Sequence, residues 1–355
     1  MGRGYFLKLC IMKNRSIIVA TQGASDIKSE VHLNLWKISK AHFTLDVGIK
    51  LFNYFGSNVT AIFVYFPYSL KEGDIVDLGQ KLQTDEIVAT IFNDDYVGEA
   101  GPQNSSIKKY KVRDQDSFDF DLFILGKNDI QIHDVNGIEG TFVTLTLPET
   151  RLDGVPAGEN LYVRIRLNLD KNAIAHIKHD EGISNDVFQS AFSVNELYDI
   201  RLNSMRDIDP KVFQKITNAN GFNASLLKLK KAHFFFITSV KDKLSNGNLA
   251  RMDSRMLETD KWSTYLPTND SHTYMAYHWK KKNEDDTSFD SFEVFFRTIC
   301  DNKNIVKIIS YILMAVSIGS LGSLVSTVGC GDIINWVAII VTIVLGLVGF
   351  GLSFL

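Results

Sequence analysis

Apolar and polar residues alternate with a period of two over much of this chain. Phe43, Leu45, Val47, Ile49 and Leu51 alternate with Thr44, Asp46, Gly48 and Lys50. Leu161, Val163, Ile165, Leu167 and Leu169 do the same against Tyr162, Arg164, Arg166, Asn168 and Asp170. Shorter runs follow at 143–147 and 118–122. Residues 59–66 form a continuous β-rich stretch that stops at Pro67, and 233–240 and 272–279 read as further strands. Period-two alternation predicts half-buried strands, one face on a core and one in water. Turn signals at Asn136-Gly137 and Asp153-Gly154 separate the runs. Helical periodicity is sparse: a short helix is predicted from Asp209-Pro210 through Ile216, and 289–299 fits either a helix or a strand. The prediction is an antiparallel β-sandwich-like body, built as an N-terminal β-rich domain over 1–170 and a second β-rich or mixed region over 171–304. The soft boundary lies near 170–195, where alternation lapses.

The last fifty residues follow another rule. Residues 308–355 carry one acid, Asp332, and no basic side chain. The stretch 308–328 would span roughly 31 Å as a helix, the thickness of a hydrocarbon core, and 333–355 is longer and more aliphatic. Gly329, Cys330, Gly331 and Asp332 between them predict a tight turn. The expectation is a transmembrane helical hairpin over 305–355, anchored in a lipid bilayer. Arg297, Lys303 and Lys307 flank its first helix and the turn has no positive charge, which places the body on the cytoplasmic side of an inner membrane. Ala315, Gly319, Ser323 and Thr327 recur every four residues and share a helix face, and Gly349 with Ser353 makes a shorter stripe. Small residues let another helix approach closely. That helix is either the other arm of the hairpin or a hairpin of a second copy, with serine hydroxyls then lining a water-filled path.

The hairpin's Lys307 and Asp332 cancel, so the body carries the whole net charge of -3. A general nucleic-acid binder would show a basic excess. Three cysteines, Cys10, Cys300 and Cys330, are too few for a disulfide framework and fit a reducing compartment. Residues 1–12 lack the cleavage site of a signal peptide, and Met12 is an alternative start. Asp114, Asp116, Asp119 and Asp121 miss the spacing of a calcium loop and read as a solvated strand face. His176 and His179 with Asp180 and Glu181 lack a third ligand pair at zinc-site spacing. Trp262 and Trp279 read as core or interface aromatics, and Lys280, Lys281 and Lys282 as a solvated hairpin loop. Phosphate loop, dinucleotide fingerprint and nucleophile elbow are all missing, so no acid, base or nucleophile can be named. The reading is of a non-enzymatic protein without metal or cofactor.

Several stretches set the order of the chain: Leu45 through Leu51 (LDVGIKL), 62–69 (IFVYFPYS), Asp77-Leu78-Gly79, Ile91-Phe92-Asn93, Tyr162 through Arg166 (YVRIR), and Tyr198 through Asn203 (YDIRLN) with Arg206. Followed by a C-terminal hairpin, this order resembles the two-transmembrane effector proteins of bacterial retron antiphage defence systems. The resemblance covers most of the chain but rests on fold-type patterns rather than catalytic motifs. It implies a toxin-like effector of abortive infection. A reverse transcriptase with its multicopy single-stranded DNA would hold it inactive, and release would disrupt the inner membrane, with several copies associating when active. Arg164, Arg166, Arg201 and Arg206 are the candidates for contact with that partner; the plain alternative is strand-face solvation or an internal ion pair. Two other functions fit the same layout: a body that senses a small molecule such as a cyclic nucleotide and gates the hairpin, or an inert membrane-tethered scaffold.

Overall fold

The computed structural model describes residues 15–23, 26–92, 94–100, 106–148, 160–180, 193–245, 252–257, 262, 265–266, 273–283, 287–301, 305–327 and 333–352. Its strands begin with β1 (Ser16–Gln22), β2 (Lys28–Lys37), β3 (Phe43–Leu51), β4 (Ala61–Phe66) and β5 (Ile75–Asp77). Next come β6 (Tyr96–Ala100), β7 (Ile107–Val112), β8 (Phe120–Phe123), β9 (Ile130–Asp134), β10 (Thr141–Thr146) and β11 (Leu161–Leu169). The remainder are β12 (Lys178–Asp180), β13 (Ser193–Leu202), β14 (Ala224–Leu226), β15 (Lys228–Ser239), β16 (Lys243–Ser245), β17 (Met252–Met256), β18 (Tyr274–Lys282) and β19 (Phe292–Asp301). The helices are α1 (Asp85–Phe92), α2 (Lys171–Ile177), α3 (Pro210–Thr217), α4 (Ile305–Thr327) and α5 (Ile333–Leu352).

The chain divides into two compact units. The larger comprises Met1–Lys178, Tyr198–Val240 and Gly247–Phe296. It holds a ten-stranded sheet in the order β17-β18-β15-β2-β3-β11-β8-β7-β6, with β5 also paired to β11. Its part of the second, nine-stranded sheet runs β19-β13-β1-β4-β10-β9, with β14 also paired to β1. The apolar face of the large sheet packs against this second layer. Tyr198 on β13 stacks on Phe296 of β19 at 4.9 Å and meets Phe236 of β15 at 4.8 Å. The protein is therefore mainly β and layered, as its alternation predicts.

Three expectations need correction. First, pairing is mixed: β15 lies parallel to β2, β8 to β11 and β13 to β1. Second, residue 170 is no domain boundary. β13, β15 and β18 complete the sheets that β1 to β11 begin, and the lapse in alternation after 170 starts with the helix α2, capped by the Asp170 carboxylate accepting from the Ala173 N–H. Third, β3 has no solvated face, since all nine residues are buried. A further hydrophobic layer, with Leu78, Leu82, Val88, Tyr96, Tyr110, Trp262 and Tyr265, covers the polar side of the large sheet. Consequently Asp119 and Asp121 are not a solvated face either. Asp119 accepts from Lys50 Nζ and from the Tyr96 hydroxyl, each at 2.6 Å, and Asp121 is fully buried. From Phe292 onward the stretch 289–299 is the strand β19, and Lys280 to Lys282 are the end of β18 rather than a loop.

The smaller unit comprises His179–Leu197, Lys241–Asn246 and Arg297–Leu355. In it β16 pairs antiparallel with the second half of β19, and buried Cys300 donates to Glu196 Oε2 at 3.1 Å. Helices α4 and α5 pack on each other. A Cβ on Gly349 would meet the Ser310 carbonyl oxygen at 2.9 Å and Leu313 Cβ at 3.1 Å, and one on Gly346 would meet Ser317 Cβ at 3.3 Å. Glycine lets the two backbones close at these points. Ser310, Ser317 and Thr342 are buried in the contact. The hydroxyls of Ser317, Ser320 and Thr342 donate to carbonyls one turn back, at 2.7, 2.7 and 2.8 Å. Among the described residues no helix is long and apolar enough to cross a membrane. The side chains described cover 305–306 and 308–323 of α4 and 336–350 of α5. The turn at 329–332, along with Cys10, Met12 and Cys330, lies outside the described residues.

Candidate functional site

The buried polar face of the large sheet carries the chemistry. Residues on β2 alternate so that Val31, Leu33 and Leu35 face one side and Glu30, His32, Asn34 and Trp36 the other. Register then aligns polar rows across strands. His233 on β15 lies opposite His32, which lies opposite Gly48, which lies opposite Arg164. One step along, His278 on β18, Phe235, Asn34, Asp46 and Arg166 form the next row. Gly48 is required by this crowding: a Cβ there would come within 2.1 Å of the Tyr162 hydroxyl oxygen.

Two networks result. In the first, Asp46 is the hub. Arg166 Nε donates to Asp46 Oδ1 at 2.6 Å and Nη2 to Oδ2 at 2.9 Å, while Trp36 Nε1 and the Tyr265 hydroxyl also donate to Oδ2. Arg164 donates to the hydroxyls of Tyr265 and Tyr162 at 2.8 and 2.9 Å and lies 3.6 Å from Asp46. Burial opposes charge on Asp46, but the two guanidiniums and the hydrogen bonds outweigh it and keep the carboxyl below its ordinary range.

The second network borders a cavity of about 370 Å³. Glu30 Oε1 lies 3.0 Å from His32 Nε2 and 3.2 Å from His233 Nε2, and Lys231 Nζ lies 3.1 Å from Oε2. His233 Nε2, though close to the carboxylate, is off-angle and makes no hydrogen bond. The far nitrogens are held: His32 Nδ1 is 3.2 Å from the Tyr162 hydroxyl and His233 Nδ1 is 3.0 Å from His278 Nε2. His278 stacks flat on Phe235 at 4.1 Å. Burial disfavours charge on Glu30, yet the contacts from His233 and His32 prevail and hold it well below the usual carboxylate range. Burial, against the pull of the Glu30 carboxylate, pushes His32 down to about 4. Burial, with Lys280 nearby, pushes His278 down to about 3. At neutral pH the pair is therefore an ionised carboxylate beside a neutral imidazole, His32. Ile91 and Phe92 from α1 close one side, and the exposed Asp253, Arg255 and Lys280 stand at the edge. Cavities of this size, with a few convergent polar groups, suit small ligands.

The residues singled out from sequence are dispersed. Arg164 and Arg166, expected at a partner surface, are 0 % and 4 % exposed and are spent on Asp46 and the tyrosines, so no macromolecule reaches them. Arg201 is held by Asp199 and Asp207. Arg206 alone of the four stands exposed. Ala315, Gly319 and Ser323 face away from α5: they are exposed, and nothing lies within 4 Å of a Cβ built on Gly319. Gly349 sits in the helix contact. The side chain of Thr327 and all of Ser353 lie outside the described residues. His176 lies on α2 and His179 on β12, and Asp180 ends β12; Glu181 lies outside the described residues. Among the described residues the group of carboxylate and imidazole atoms within ligating distance is Glu30, His32 and His233 instead. Its sequence signal is weak, a Glu-x-His alternation in one strand and a lone histidine two hundred residues on. The chain matches no protein-family model and no curated protein, so its role must be read from these sites.

Proposed function

We propose that this protein is a membrane-held effector, with α4 and α5 in a lipid bilayer and the β body on its cytoplasmic face acting as the regulated part. The observation that carries this is the outer surface of the hairpin. Ile312, Val316, Ile318, Ile340, Val341, Val344, Leu347 and Phe350 are 51–71 % exposed around both helices. An apolar surface of that extent in water would drive aggregation, whereas lipid solvates it. The uncharged run 308–328 in the sequence has the roughly 20 residues that a hydrocarbon core requires, although the described part of neither helix is long and apolar enough to cross. The regulator is the one the resemblance implies, a reverse transcriptase with its multicopy DNA, and it must bind the silent form better than the active one. With Arg164 and Arg166 buried, exposed Arg206 is the residue of the original four left for such contact.

Expression of the full chain alone in a bacterial host, followed with a potential-sensitive dye, tests this. The full chain should sediment with membranes, resist extraction by carbonate and depolarise the cell, and co-expression of the regulator should prevent it. A version ending at Asn304 should do none of these. Equal toxicity of the shortened chain would remove membrane damage as the mechanism. The cavity favours a second reading, in which a small charged ligand rather than a macromolecule sets the state of the body. Silence of the full chain until a nucleotide is supplied would select it.

A further inference from the structure

The carboxylate and two imidazoles beside the cavity have the make-up of a metal centre, which goes beyond the membrane reading and stands independently of it. We propose that Glu30, His32 and His233 bind one divalent transition-metal ion, with zinc the best match, and leave a coordination position open to the cavity. Glu30 Oε1, His32 Nε2 and His233 Nε2 lie within 4.8 Å of one another. Ligand atoms at about 2.0–2.1 Å around tetrahedral zinc sit roughly 3.3 Å apart, and the carboxylate oxygen is 3.0 and 3.2 Å from the two nitrogens. The three come from two neighbouring strands: Glu30 and His32 alternate on β2, and His233 is the direct register partner of His32 on β15. Ligands on paired strands of a buried sheet are fixed in place before an ion arrives.

Two further observations separate this from an ordinary buried ion pair. His233 Nε2 is buried with no hydrogen bond, 3.2 Å from the same carboxylate oxygen that His32 approaches. Both ligand imidazoles also have their remote nitrogen engaged, by Tyr162 and by His278. The Tyr162 hydroxyl and His278 Nε2 can each accept from an Nδ1–H, the tautomer in which Nε2 has a lone pair for a metal, as ligand histidines require. Lys231 occupies Glu30 Oε2 and thereby presents Oε1 as the single ligand oxygen. A two-histidine, one-glutamate set with an open fourth position is an arrangement in which zinc holds water or an anionic ligand. Arg164 and Lys280 on the cavity wall favour the anion.

The test uses the full chain in detergent, stripped with a chelator and titrated with zinc alone against a chromophoric competitor. One zinc per chain is expected at submicromolar affinity. His32→Gln and His233→Gln should each lose the site, and Tyr162→Phe should weaken it roughly 10- to 100-fold, with thermal melting reporting the fold. If the unsubstituted chain takes up no stoichiometric zinc, or both histidine variants bind as well as it does, the proposal falls. Zinc K-edge absorption of the unsubstituted chain decides even where a variant misfolds: two imidazoles and an oxygen support the site, and sulfur in the shell would place the ion on cysteine and overturn it.

Discussion

Asp46 shows what buried charge costs at the level of single residues. It lies at the centre of the covered face with two guanidiniums, an indole and a phenol directed at it. Removing one member strands the others without water. Asp46→Asn should destabilise the body by about 3–5 kcal/mol, read by denaturant unfolding in detergent. Asp46→Leu combined with Arg166→Met should cost less than the sum of the two single changes, and strict additivity would show that the network carries no coupling. Asp77 works in the opposite sense. Its Oδ1 is buried without a hydrogen bond, and burial, aided by Asp129, raises its pKa to about 6 despite backbone N–H groups that oppose the rise. A raised carboxyl stabilises the fold fully below the unfolded value of about 3.8 and loses that contribution as pH climbs through about 6. Asp77→Asn mimics the protonated form. The variant should therefore gain on the unsubstituted chain by up to about 3 kcal/mol between pH 4 and pH 7.5; a pH-independent difference would place the strain elsewhere.

At the scale of elements, strands were the legible part of the sequence. Phe43–Leu51 and Leu161–Leu169 appear with the bounds that alternation predicts, and α3 starts at Pro210 behind its Asp209 cap. What alternation misread was the environment of the polar face. Period two says that Asp46 and Lys50 oppose Leu45 and Ile49, but water and a second protein layer are equally polar partners when arginine, tyrosine and histidine line up with them. Parallel neighbours were also invisible, since β2 and β15 are joined through nearly two hundred residues with no local turn to announce them. The metal candidate was lost for the same reason, being assembled by that pairing. In the hairpin, small residues marked two faces and only structure tells them apart. Gly349→Leu should force α4 and α5 apart and lower the thermal stability of the hairpin, seen as loss of protection in hydrogen exchange. Gly319→Leu with Ser323→Leu should leave the hairpin intact, because both positions face outward, and on the proposed reading should reduce depolarisation only if copies associate through that face. Equal disruption by both changes would mean that the two faces are not distinct.

At the scale of the whole molecule, one strand has residues in both units. β19 contributes Phe296 to the aromatic core of the larger unit and then continues, as one strand, through Arg297 to Asp301 in the smaller unit. Only 302–304 separate that strand from the first residue of α4. A strand hydrogen-bonded along its length is stiff, whereas a flexible tether of n residues spreads its ends over roughly 5–6 Å × √n. If the regulation proposed above passes along β19, a slack joint after Asp301 should abolish it. Insertion of about ten Gly and Ser residues after Asp301 provides one, giving a mean reach of roughly 17 Å. The lengthened chain should fold, insert and bind zinc as before. On the proposed reading, its effect on membrane potential should then no longer respond to the proposed regulator. If control survives the insertion, regulation does not pass along β19, and a regulator that covers the hairpin directly becomes the better account.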